Sequence, residues 1–189
     1  MTQNSKNTSE IQQALQSGIP EIQLAAIGKA REDESPDHIP ALLATFCQEQ
    51  TTEEVRHEII RLLVDVKYTA LIPALQQQLE EQSLPDDLKA GLISVCWQNS
   101  MDFSPLMGYL AEQLLSPSLQ VLVEAVTALE VAFEYASPEE LKAVVRRLKQ
   151  MENEKLGEEN RVFVREMLSI ATQAQQQATN ALREQKDRQ

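Results

Sequence analysis

A repeat of 33 residues runs through the chain and restricts the folds open to it. Ile22, Val55, Leu88 and Val121 stand 33 residues apart, and each opens a run in which apolar side chains return every three or four residues, the spacing of one side of a helix. The clearest run is Val55, Ile59, Leu62, Leu63 and Val66; Leu88, Leu92, Val95 and Cys96 form the next, then Val121, Ala125, Ala128, Leu129 and Ala132. A second ladder accompanies the first. Ile39-Pro40, Ile72-Pro73 and Ser104-Pro105 recur at spacings of 33 and 32, and Pro138 follows after another 33. Proline is tolerated in a first helical turn, where its missing N–H has no intrahelical acceptor, so these positions mark helix starts. Leu42, Leu43 and Phe46, then Leu75 and Leu79, then Met107, Leu110 and Leu114 continue those helices at helical spacing.

Two helices per period, joined by short polar turns, make a helical hairpin. The turns are Thr51-Thr52-Glu53-Glu54, Ser83-Leu84-Pro85-Asp86-Asp87 and Ser116-Pro117-Ser118. Ser and Thr can cap the following helix, and acidic residues in its first turn oppose the positive end of its dipole. The pattern predicts five hairpins, at residues 8–31, 37–67, 70–99, 103–135 and 138–178. Composition agrees: 42% of the residues are hydrophobic, 4% are aromatic and five are glycine. Such a core is built from Leu, Ile, Val and Ala, and the chain lacks the glycines that many tight β-turns would need. The length suits one domain over residues 8–178, with residues 1–7 loose and residues 179–189 a polar helical extension or tail. The fifth repeat breaks the period: 33 beyond Val121 is Glu154, inside a polar run, and the next helix carries Val162, Phe163, Met167 and Ile170. Terminal repeats are often atypical because one of their faces meets water.

Ile-Pro-Ala-Leu, a polar turn and Glu-Val-Arg-His-Glu-Ile-Ile-Arg-Leu-Leu, over residues 39–63, resemble a HEAT repeat, whose second helix opens with Val-Arg after an acidic turn. Leu88-Lys89 keeps a weakened form of that pair, while Ile22-Gln23 and Val121-Leu122 depart from it. Glu stands where the family usually has the aspartate of the turn. The likeness covers residues 8–170 and implies an all-α, right-handed α-solenoid of about five antiparallel hairpins, armadillo-like in build. A tetratricopeptide array has a similar period, but its Trp, Gly, Tyr and Pro pattern is missing.

With Val55, Ile59, Leu62 and Val66 centred on the buried side, at about 100° per residue, His57, Arg61, Val64 and Tyr68 fall on the opposite side. The register extends this row to Ala90, Ser94, Trp97 and Met101, to Val123, Thr127, Glu130 and Glu134, and back to Leu24, Gly28 and Arg31. In HEAT-like stacks the second helices line the concave face, so the resemblance places the row where a partner polypeptide would bind. Trp, Tyr, Met and Arg are residue types enriched at interfaces. The expected partner surface is therefore His57, Arg61, Val64, Tyr68, Ser94, Trp97, Met101, Thr127, Glu130 and Glu134.

Charge and motif content narrow the alternatives. Seventeen Lys and Arg against 29 Asp and Glu give a net charge of -12, which opposes binding to nucleic acid and to anionic membranes. No signal-peptide pattern opens the chain and no apolar run is long enough for a membrane span, so a cytoplasmic protein is expected. Cys47 and Cys96 show no CxxC spacing, in keeping with a reducing compartment. The two histidines, His38 and His57, form no HExxH motif. Glu54-x-x-His57 has the spacing of a di-iron helix motif but no second copy, so no metal is expected. Phosphate-cradling glycine loops and nucleophile elbows are absent as well, so neither a cofactor nor an enzymatic activity is expected. The preferred reading is an adaptor, scaffold or assembly subunit that binds another protein. HEAT-like scaffolds also serve DNA glycosylases and chromophore lyases, which makes an enzyme one alternative; a homo-oligomeric structural protein is the other.

Overall fold

The computed structural model describes residues 2–81 and 83–187. Among them are ten α-helices and no strand: α1 Thr2–Leu15, α2 Pro20–Asp33, α3 Ile39–Cys47, α4 Glu53–Asp65, α5 Leu71–Leu79, α6 Asp86–Gln98, α7 Met107–Glu112, α8 Leu119–Tyr135, α9 Pro138–Glu152 and α10 Glu158–Asp187. Short 3-10 turns at Pro36–His38, Ser104–Leu106 and Gln113–Leu115 adjoin α3 and α7. The proline ladder lies where sequence reasoning puts it, in or just before the first turns of α3, α5, α7 and α9. Side chains cap several starts: Thr52 Oγ1 accepts from Val55 N, Ser118 Oγ from Val121 N, and Ser137 and Glu140 form a reciprocal capping box at α9.

The helices group into two compact units, Met1–Ser100 and Met101–Gln189. In the first, α1 packs on α2, α3 on α4 and α5 on α6; α1, α3 and α5 also touch in series, as do α2, α4 and α6. The second unit shows the same scheme, with α7 on α8 and α9 on α10, α7 against α9 and α8 against α10. Short connections make sequence neighbours pack side by side. The core of the first unit is aliphatic, with Leu15, Leu42, Ile59, Leu63, Leu75 and Leu92 among its fully buried side chains. Val121, Leu129, Leu148, Val164 and Met167 fill the second.

Helix carbonyl ends inside the first unit are held by buried polar side chains. Gln23 Nε2 and Thr45 Oγ1 donate to Leu15 O at the end of α1, at 2.9 and 3.2 Å. Arg56 donates from Nε to Phe46 O and from Nη2 to Gln48 O, which closes α3. Asn99 Nδ2 donates to Leu63 O and Val66 O at the end of α4, at 2.9 and 2.8 Å. The last carbonyls of a helix have no intrahelical donor, so each of these bonds supplies a partner the backbone lacks.

Three sequence expectations need correction. Ile22 is exposed, and the buried stripe of α2 is Gln23, Ala26, Ile27 and Ala30. The bond from Gln23 to Leu15 O turns the helix one position away from the 33-residue register. Residues 2–7, expected loose, belong to α1, and Asn7 Nδ2 donates to Asp33 Oδ1 of α2 at 2.9 Å. On α10 the buried stripe is Val164, Met167 and Ala171, while Val162 is 61% exposed. The polar extension from residue 179 is helical to Asp187. Met1 of the expected loose terminus, and Arg188 and Gln189 of the extension, lie outside the described residues.

Candidate functional site

The expected partner surface falls partly in each unit. In the first, His57 and Arg61 are exposed on α4, with Val64 and Tyr68 half-buried further along. Most of this row is already engaged. Arg61 Nη1 is 2.8 Å from Glu58 Oε1, Arg31 Nη1 is 2.6 Å from Asp65 Oδ2, and the Tyr68 hydroxyl donates to Glu34 O. On α6 the outward assignment fails for Ala90 and Ser94, which are buried; the Ser94 hydroxyl donates to Gly91 O at 2.8 Å and accepts from Gln98 Nε2. Seven of the thirteen residues of α6 are buried, so this helix is covered on more than the side its periodicity marks. Trp97, near its end, is 38% exposed.

In the second unit, Met101 is half-buried. The stripe along α8 starts at Leu119, 58% exposed, continues through Val123 and Thr127, and ends at Glu130 and Glu134. Thr127 spends its hydroxyl on Val123 O at 3.0 Å. Glu130 and Glu134 are exposed and form no ion pair among the described residues. Both lie on a groove of about 660 Å³ between the C-terminal half of α8 and residues 170–181 of α10. Its floor is apolar and low: Phe133 and Ala136 on one side, Ile170, Ala174, Ala178 and Ala181 on the other. The alanines stand at helical spacing and project little, so a backbone laid along α10 could approach closely. Two carboxylates one turn apart repel each other by about 0.2–0.5 kcal/mol, a cost that a cation seated between them would remove.

Periodicity identifies Glu130 and Glu134, but not the groove behind them. The α10 wall looks in sequence like a Gln- and Ala-rich solvated tail, and only the pairing of α8 with α10 gives it a neighbour.

The remaining reactive groups are accounted for structurally. Burial raises the Cys96 thiol to about 12, and raises that of Cys47 to about 11 against a smaller opposing pull from Arg56. Both thiols therefore stay protonated at neutral pH and are poor nucleophiles. Among the described residues no three His, Cys, Asp or Glu side chains converge as a metal set, and no helix is long and apolar enough to cross a membrane. Arg147 of α9 is held by Glu112 of α7, at 2.5 and 2.8 Å, and by Glu154 at 2.7 Å. Those hydrogen bonds, Glu112 first, push its guanidinium pKa upward. Comparison of the chain with protein-family models, with curated proteins and with solved structures finds no match.

Proposed function

We propose that the helix pairs are HEAT-like repeats of an α-solenoid and that the chain is a protein-binding module, whose partner segment lies in the groove between α8 and α10. The recurrence of the same packing scheme inside each unit, at the 33-residue register of the sequence, supports the repeat. One observation carries the site: two exposed carboxylates without ion-pair partners among the described residues rim an apolar trough floored by alanines. That chemistry suits an amphipathic helix with an apolar face and Lys or Arg along its edge, the helix-in-groove mode of recognition. Apolar contact would provide most of the affinity, while the carboxylates would set orientation and speed association. On this reading the module acts by holding another polypeptide and performs no chemistry.

The test is a fluorescence titration with two labelled helical peptides that share a leucine face, one edged with lysine and one with glutamate. The lysine-edged peptide is expected to bind, and the paired substitution Glu130→Lys with Glu134→Lys to weaken it by at least about tenfold, roughly 1.4 kcal/mol. The glutamate-edged peptide should prefer the doubly substituted chain. Equal binding of both peptides to both chains would refute the assignment. A change in mass with protein concentration, with the peptides ignored, would favour the homo-oligomer instead.

A further inference from the structure

The first unit contains a second concavity, a cavity of about 290 Å³ with His38 among its lining residues. Ile39, Leu42, Leu62 and Val66 make its walls apolar, and the Arg31–Asp65 ion pair and Tyr68 lie at its edge. His38 is 1% exposed. Its Nε2 is 2.8 Å from Asp33 Oδ2, and the other oxygen of that carboxylate accepts from Asn7 Nδ2. An ionised carboxylate can only accept, so Nε2 carries the ring proton and Nδ1 of the neutral imidazole offers a lone pair. Nδ1 has no hydrogen-bond partner, the one buried side-chain nitrogen or oxygen among the described residues of which this is true.

The contrast with the other buried polar side chains of this unit gives that atom its meaning. Gln23, Thr45, Thr51 and Asn99 each hold a backbone carbonyl. His38 is fixed as firmly on its Nε2 side, yet on the other side it keeps an acceptor beside a cavity. Buried polar atoms are nearly always satisfied, and an exception calls for a partner from outside the chain. The described residues offer no metal set here. The volume lies near the lower end of the range for small-molecule pockets, about 300–1,000 Å³, and far above the roughly 30 Å³ share of one water.

We infer that this cavity binds a small, uncharged, largely apolar molecule bearing one hydroxyl or N–H group, which donates to His38 Nδ1. The apolar walls take the body of the molecule, and the single acceptor selects its polar group.

Phenol and toluene are matched probes, since they differ by one hydroxyl. Titration of the full chain would be followed through the ¹⁵N shifts of the His38 ring, which report proton position and hydrogen bonding at each nitrogen, and through the amide signals of Ile39, Leu42 and Leu62. Phenol is expected to move the Nδ1 resonance in the direction of an accepted hydrogen bond and to bind about tenfold more tightly than toluene, the worth of one well-made hydrogen bond. Val66→Phe, which fills the cavity without touching the His38–Asp33 pair, should abolish both effects; if that variant fails to fold, the native titration alone decides. Three results would overturn the inference: no response near the cavity, toluene binding as tightly as phenol, or an Nδ1 signal indifferent to phenol, as expected if water alone serves that atom. The peptide groove lies in the other unit, so this result and the peptide titration stand or fall separately.

Discussion

The outward row of α4 and that of α8 occupy equivalent places in the repeat and differ in what the protein has done with them. Along α4 the charges are spent internally: Arg61 on Glu58, and Asp65 on Arg31 from the neighbouring α2. Along α8 the last two positions are carboxylates that no described residue neutralises, and the helix beside them offers alanines in place of partners. The first row is a seam between helices, and the second is an open trough. Sequence register thus selects positions that can face outward, but a binding surface also requires that the neighbouring helix leave them unpaired.

Four substitutions sharpen or break this contrast. The largest effect is expected for Asn99→Ala, which strips the buried Leu63 and Val66 carbonyls of their donor and should cost about 2–3 kcal/mol in urea unfolding. A loss near zero would mean that these polar bonds do not hold the first unit together. Next is Gly91→Ala, whose new Cβ would lie 3.1 Å from Cζ of the buried Phe46. Overpacking should outweigh the gain in helix propensity and leave a net loss of about 1–2 kcal/mol, relieved in combination with Phe46→Leu. Arg147→Met removes the exposed pairs to Glu112 and Glu154 and should cost about 1 kcal/mol or less; the cost should shrink in high salt, which screens exposed pairs. The smallest effect, and opposite in sign, is expected for Glu134→Lys. It replaces a repulsion with an i, i+4 attraction to Glu130 and should raise stability by about 0.2–0.5 kcal/mol in low salt. A loss there would show that Glu134 has a structural partner and would erase the difference between the two rows.

Much of the architecture was legible because the two signals that define it are local. Apolar spacing marks a helix side, and proline marks a first turn, so the ten helices fall close to the expected hairpins. Errors arose where a long-range bond outweighed the pattern. Gln23 looks like a solvent residue until the Leu15 carbonyl is seen to need a donor, and Ser94 looks exposed until α6 is seen to be covered on several sides. Val162 misled for a related reason: apolar character alone does not fix the phase of α10, which Val164 and Met167 set by their fit against its neighbours. Of the candidate surface, the sequence discloses Glu130 and Glu134. The trough itself belongs to tertiary structure, because its two walls are 40 residues or more apart between Glu130 and Ile170. His38 was weighed only as a metal ligand, since nothing local shows that one of its nitrogens is engaged and the other left over.

The most direct measurement of the central claim is an amide chemical-shift map of the ¹⁵N-labelled chain, with and without the lysine-edged amphipathic peptide. Saturable perturbations concentrated on residues 130–136 of α8 and 170–181 of α10, with the α4 row silent, are the predicted result. Perturbations centred on His57 and Arg61, or none at all at saturating peptide, would contradict it.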